Sequence, residues 1–136
     1  MSNRSERVEQ QLLNVLLARA VLDEIPKRKL AKGLMDWRKR KGEYGGNVSD
    51  DELLHGCGSA ACFGGWVAVT PAFQERGVKP GYAGNPEIGP VQDHYAVGQV
   101  LFDFQTMFSP NYSGGSDRKV IKRRLEAAFE QLVGKL

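Results

Sequence analysis

The chain has 136 residues, of which 41% are hydrophobic and 26% are charged. These proportions are typical of a single domain over residues 1–136 and exclude wholesale disorder; only the polar first few residues are expected to be disordered. The net charge of +3 is too small to define a nucleic-acid-binding protein by itself. No apolar run approaches the roughly 20 residues that span a bilayer, and the polar N-terminus does not fit a secretory signal. We therefore expect no membrane partner and a cytoplasmic location.

The first segments of the chain have helical spacing. Residues 5–25 are predicted to form a helix with Ser5 as N-cap. Its inward positions are predicted to be Val8, Leu12, Leu13, Leu16, Leu17, Ala20 and Val21. A short second helix is predicted over 27–37, with a narrow apolar stripe of Leu30, Leu34 and Trp37.

The middle of the chain predicts a buried helix over 60–69, with Ser59 as N-cap. The segment is apolar or small on every side, which is typical of a helix inside a protein. Gly64 and Gly65 each cost a helix roughly 1 kcal/mol relative to alanine. We expect this cost to be tolerated because another backbone packs closely there.

The second half of the chain alternates turns with helices. Thr70 and Pro71 fit the start of a further helical turn, and residues 78–90 fit an irregular segment or a small β-ribbon. Val91–Phe108 has helical spacing, and Asp103 could break it into two helices. A final helix is capped by Ser116, with inward residues Val120, Ile121, Leu125, Ala128, Phe129 and Leu132.

The predicted fold is all-α or mostly α, with about five to six helices around the buried helix 60–69. The aromatic side chains at inward helical positions are expected in its core. They are Trp37, Phe63, Trp66, Phe73, Phe102, Phe104, Phe108 and Phe129.

The segment Cys57-Gly-Ser-Ala-Ala-Cys-Phe-Gly-Gly-Trp66 resembles the Cys-Gly-Thr-x-x-Cys-x-x-Gly-Trp/His motif of small uncharacterised proteins in bacteriophages and prophages. Leu34-Met-Asp-Trp37 and Ala96–Phe108 resemble elements that flank that motif, so the resemblance covers about 30–134. It implies a phage setting, and hence the cytoplasm of a bacterial host. It implies neither a mechanism nor a set of catalytic residues.

Two kinds of chemistry compete with a packing role for the cysteines. A thiol beside a helix N-terminus can be activated, so Cys57 is a candidate nucleophile. The donors His55, Cys57, Cys62 and His94 are of the type that binds zinc. However, His55 lies only two residues from Cys57, and His94 is far from the other three in the sequence. We expect small buried packing groups and no cofactor, with zinc as the alternative.

The charges are segregated along the chain. Residues 27–41 hold eight basic residues and one acid, residues 42–117 hold two and nine, and residues 118–136 hold six and two. If the fold brings the two basic blocks together, they would form an anion-binding face. The candidate residues are Lys27, Arg28, Lys29, Lys32, Arg38, Lys39, Arg40, Lys41, Arg118, Lys119, Lys122, Arg123 and Arg124.

Three tyrosines, Tyr44, Tyr82 and Tyr112, lie in glycine-rich loops, where tyrosine often contacts a partner. Our leading hypothesis is a non-enzymatic phage-type accessory protein that binds a host or phage macromolecule, with a protein as the expected partner. Inhibition of a host defence or metabolic factor is one form that this binding could take. One alternative is a nucleic-acid-binding module that uses the basic blocks 27–41 and 118–124. The other is a thiol- or zinc-dependent enzyme centred on Cys57. The oligomeric state stays open.

Overall fold

The computed structural model describes residues 4–26, 29–31, 34, 37, 39–40, 48–50, 53, 59–81, 83–113 and 115–136. Within these residues there are five helices and four short strands, which confirms a mostly α fold. The helices are α1 (Arg4–Glu24), α2 (Phe63–Val69), α3 (Pro71–Gln74), α4 (His94–Phe102) and α5 (Asp117–Val133). The strands are β1 (Lys39–Arg40), β2 (Ser59–Ala60), β3 (Val78–Pro80) and β4 (Pro86–Ile88). None of the helices in the described part is long and apolar enough to cross a bilayer.

Helix α1 confirms the first predicted helix but buries a different stripe. It begins at Arg4, so Ser5 lies inside the helix and is not its N-cap. Leu13, Leu16 and Ala20, all predicted inward, are exposed, the two leucines to 47% and 52%. The buried positions are Val8, Gln11, Asn14, Val15, Ala18, Val21 and Leu22.

The burial of two polar residues explains this rotation of α1. The side-chain amide of Asn14 donates to the carbonyl of Leu101 at 2.9 Å, and that of Gln11 donates to the carbonyl of Val100 at 3.2 Å. The last carbonyls of α4 lack partners within their own helix, so these amides satisfy them. The face that fits α4 therefore faces the core, although another face of α1 is richer in leucine.

The helix predicted over 27–37 is wrong for the described residues of that segment. Leu30 forms a parallel bridge with Ala61, and the Ala61 amide donates to the Lys29 carbonyl at 2.9 Å. Strands β1 and β2 continue this pairing in antiparallel register, with Lys39 opposite Ala60. Because Ser59–Ala60 is extended, the central helix begins three residues later than predicted, with Cys62 in place of Ser59 as its N-cap.

Helix α2 is the buried centre of the fold, as predicted. All seven of its residues are buried. Phe63 tilts against Phe108 with ring centroids 6.1 Å apart, and Phe102 meets Phe73 and Phe108 edge-on at 6.2 and 5.8 Å. The predicted aromatic core is therefore largely present, with Trp37 and Phe104 half-buried at its margin.

The second half of the chain follows the predicted order of elements. Strands β3 and β4 pair antiparallel, which confirms the β-ribbon within 78–90. Asp103 ends α4 in a left-handed conformation with φ 55°, which confirms the break, but residues 105–108 form turns and not the expected second helix. Ser116 accepts a hydrogen bond from the Lys119 amide and caps α5 as predicted. Phe129 is the exception, because it is 39% exposed rather than inward.

Candidate functional site

The glycine pair of α2 allows another segment of backbone to pack directly on the helix. A Cβ on Gly65 would overlap the carbonyl oxygen of Trp37 and lie 3.0 Å from its carbonyl carbon. A Cβ on Gly64 would lie 2.6 Å from Cζ3 of the Trp37 ring. The indole of Trp66 donates to the Lys29 carbonyl at 2.9 Å. Lys29 and Trp37 thus pack directly on α2, as the glycines predict.

The candidate thiol and zinc residues are only partly described. Cys62 is 1% exposed at the start of α2, and His94 is half-buried at the start of α4. The His94 ring lies 5.5 Å from the Trp37 ring and 4.1 Å from the Tyr95 ring, and its Nε2 atom is buried with no hydrogen-bond partner among the described residues. His55 and Cys57 lie outside the described residues. In the part of the chain that is described, no three His, Cys, Asp or Glu side chains cluster as a metal site.

Three members of the first basic block lie within the described residues. Lys29 is 4% exposed, so its side chain lies within the packed interior. Lys39 and Arg40 form β1, which pairs with β2. The remaining members of this block lie outside the described residues; they are Lys27, Arg28, Lys32, Arg38 and Lys41.

The second basic block is divided between internal and exposed residues. Arg118 donates to the carbonyls of Leu22 and Ile25, and so caps the C-terminal end of α1. Lys119, Lys122 and Arg123 are exposed. The contact of Arg118 places the start of α5 beside the end of α1. The contacted Ile25 precedes Lys27, the first residue of the first basic block, by two residues.

Arg124 holds the turn before α5. Its guanidinium donates to the carbonyls of Met107, Ser109 and Pro110 at 3.2, 2.7 and 3.1 Å. Burial lowers the pKa of Arg124, while the charge of Asp117 acts in the opposite direction. Arg118 and Arg124 therefore organise the chain itself, and the described anion-binding candidates on α5 reduce to its three exposed basic residues.

Tyr112 lies in the loop between α4 and α5 and is 82% exposed. Asn111 next to it donates to the Gly115 carbonyl at 3.0 Å and to Asp117 Oδ1 at 2.8 Å. The Ser113 amide donates back to Asn111 Oδ1 at 3.0 Å. The loop is thus hydrogen-bonded on both sides of an exposed aromatic ring. Tyr44 and Tyr82 lie outside the described residues.

A groove between α1 and α5 was not predicted from the sequence. Its cavity has a volume of about 190 Å³, and apolar side chains of Val15, Leu16, Leu125 and Phe129 line it. The signal that could have revealed it is the spacing of residues 122, 126, 129 and 133, which places them on one face of α5. Periodicity alone assigned Phe129 to the core, because an exposed stripe and a buried stripe share the same spacing.

A second cavity, of about 340 Å³, lies where α1 ends. It is lined by Ile25, Lys29, Trp66 and Thr70, with Glu24 also at its margin. Thr70 directs its hydroxyl to the Trp66 carbonyl at 2.7 Å, which occupies that donor within the fold. The cavity therefore combines an apolar wall with few uncommitted polar groups.

Comparison with known proteins gives no relative: no family model, no curated protein and no solved structure matches the chain.

Proposed function

We propose that this chain is a non-enzymatic, phage-type accessory protein that binds another macromolecule, and that the partner is a protein. The observation that carries the proposal is Tyr112, 82% exposed on a loop that its own hydrogen bonds hold in place. The phage setting, in the cytoplasm of a bacterial host, rests on the resemblance of the Cys57–Trp66 motif. Inhibition of a host factor is one form that such binding could take.

The loop around Tyr112 supports binding because its geometry is set before any partner arrives. The Arg124 guanidinium anchors the loop by donating hydrogen bonds to the carbonyls of Ser109 and Pro110. A tyrosine in a rigid loop gives a large contact area at a small cost in conformational entropy, since few rotors have to be ordered on binding. Tyrosine is accordingly enriched among the residues that dominate protein interfaces.

The charges beside the loop indicate the chemistry of the partner. Lys119 and Arg123 are exposed in the first two turns of α5, directly after the loop. A partner that pairs with them presents carboxylates around an apolar pocket for the tyrosine ring. Complementary charge at the rim of such an interface mainly raises the association rate and suppresses wrong partners.

A pull-down from bacterial lysate with matched variants tests this proposal. Wild-type protein is expected to retain a partner in stoichiometric amount, and Tyr112→Ala is expected to lose it. Tyr95→Ala is the control, because Tyr95 is also a surface tyrosine, 47% exposed on α4, and it should retain the partner. Recovery of nothing from several hosts at low and high salt, or equal retention by Tyr112→Ala, would contradict the proposal.

A nucleic-acid-binding module is the second candidate, and the exposed basic residues on α5 favour it. Lys119, Lys122 and Arg123 could contact phosphates while Tyr112 stacks on a base. Affinity for a single-stranded oligonucleotide would then fall steeply with salt, with a log–log slope of about 2–3 for three phosphate contacts. Reversing the three charges to glutamate should abolish this binding. Unchanged affinity in that variant would exclude the candidate.

A further inference from the structure

The exposed apolar side chains are concentrated on the outer face of α1 and α5. Eight large apolar side chains are exposed among the described residues, and four of them lie here: Leu13, Leu16, Phe129 and Val133. Leu16 and Phe129 line the 190 Å³ groove between the two helices, and Leu13 and Val133 lie about one turn from them along the same helices. An apolar patch of this kind with a charged rim is typical of an interaction surface.

The two helices run antiparallel along this face. Arg118, at the start of α5, reaches the carbonyls of Leu22 and Ile25 at the end of α1. Further along the groove, Arg19 of α1 and Lys122 of α5 both line it, and so do Leu16 and Phe129. The C-terminal half of α1 therefore lies beside the N-terminal half of α5.

Because of this arrangement, the two ends of the face carry opposite charge. Arg19 and Lys122 lie at one end of the groove, and Lys119 extends that end by another turn. Glu130 lines the other end, and Glu9 extends it along α1 with the spacing of Leu13 and Leu16. Asp23 lies one turn beyond Arg19 and reduces the positive charge at the basic end without reversing it.

We infer that this face binds a second copy of the chain, giving a homodimer with an antiparallel four-helix interface. A two-fold axis that crosses the helices at the middle of the face brings the basic end of each copy against the acidic end of the other. Leu13 then packs on the partner's Leu16, and Lys122 meets the partner's Glu130. An axis parallel to the helices would place basic end against basic end, so the charges select the crossing axis.

The size of the face indicates how strong this dimer is. Two helices of about 30 Å length and 10 Å width give a footprint on the order of 600 Å² per copy. This is below the roughly 800 Å² per partner of a standard stable interface. We therefore expect a reversible dimer with a micromolar dissociation constant. The inference goes beyond the proposed function, since it does not involve Tyr112.

Sedimentation equilibrium of the full chain at about 1–200 μM tests the inference. Wild-type protein should move from a mass of 15.0 kDa towards twice that value. Leu16→Lys should weaken dimerisation by at least about tenfold, because each dimer contains two substituted positions. Val100→Lys is the matched control: Val100 is 48% exposed on α4, against 52% for Leu16, and its substitution should leave the dimer unchanged. Circular dichroism checks that both variants keep their helices.

Charge reversal tests the proposed register. Lys122→Glu and Glu130→Lys should each weaken the dimer, and the double variant should restore it, because the opposite charges then meet again across the axis. Glu126 lies midway between them and near the axis, so Glu126→Gln should tighten the dimer by removing a like-charge contact. A monomer throughout the concentration range, equal effects of Leu16→Lys and Val100→Lys, or additive loss in the double charge variant would overturn the inference. Partner capture through Tyr112 would survive each of these results, so failure of the dimer is distinguishable from failure of the proposed function.

Discussion

Helix α2 and the α1–α5 face depart from ordinary helix patterning in opposite ways. Helix α2 has glycines where a helix usually has larger side chains, because the backbone of Trp37 packs against it. The α1–α5 face has leucine, phenylalanine and valine where a surface is usually polar. In the interior, a missing side chain makes a contact possible; on the outside, the exposed apolar side chains are the basis of the proposed dimer.

The largest effect is expected from filling the space at Gly65. Gly65→Ala forces the added Cβ against the Trp37 carbonyl, which is backbone and cannot move aside cheaply. We expect a loss of about 2–4 kcal/mol in the free energy of unfolding, measured by urea denaturation. Gly134→Ala is the control, because its Cβ would meet its nearest atom at an ordinary 3.5 Å. Equal stability of the two variants would show that Trp37 does not pack on α2.

A smaller effect is expected from removing the anchor of the Tyr112 loop. Arg124→Met keeps much of the side-chain volume but leaves three carbonyls without their donor. We expect a loss of about 2 kcal/mol. The adjacent Arg123 is exposed, so Arg123→Met should change the stability by less than about 0.5 kcal/mol. If the two substitutions have the same effect, Arg124 is a surface charge and not an anchor.

For two substitutions in α1, the buried stripe predicts the opposite order of stability loss from the one that hydrophobicity alone predicts. Asn14→Ala removes the donor to the Leu101 carbonyl and should cost about 1–2 kcal/mol. Leu13→Ala removes a larger apolar side chain, but one that is 47% exposed, and should cost less than Asn14→Ala. The free energies of unfolding of the two variants should be measured at low micromolar protein concentration, below the range of dimerisation. A larger loss for Leu13→Ala would mean that the apolar stripe is the buried one.

Features of the fold that depend on local patterning could be predicted from the sequence, whereas features that depend on distant contacts could not. Composition and spacing were sufficient for the helical class, for α5 with its Ser116 cap and for the buried α2 with its glycines, because each depends on local patterning. The pairing of residues 29–31 with 59–61 is non-local. Local spacing does not contain this information, and it predicts helices over 27–37 and 60–69 instead. The orientation of α1 depends on carbonyls of α4 nearly 90 residues away. Exposure of Phe129 depends on which neighbour covers it, and spacing does not contain that information.

The smallest effect concerns the ion pair that joins the end of α4 to the end of the chain. Lys135 donates to Asp103, and this bond, more than any other contact, holds the pKa of the Asp103 carboxyl below its usual 3.8. Because the carboxyl pKa is lower in the folded than in the unfolded chain, the ion pair stabilises the fold at pH values above the unfolded pKa of 3.8. This stabilisation is lost as the pH falls below 3.8 through the folded-state pKa. Because the pair is near the surface, we expect only a few tenths of a kcal/mol. Asp103→Asn should flatten that part of the pH profile, and an unchanged profile would contradict the assignment.

The interior position of α2 leaves recognition, as proposed above, to the surface of the fold. The alkylation rate of Cys62 in a Cys57→Ser variant tests this directly, since Cys62 caps α2 and is 1% exposed. We predict that alkylation in native buffer is slower than in denaturant by about a thousandfold or more, because the thiol reacts only when the core opens. Alkylation near the denatured rate would place the thiol at an accessible site and would contradict the interior position of α2.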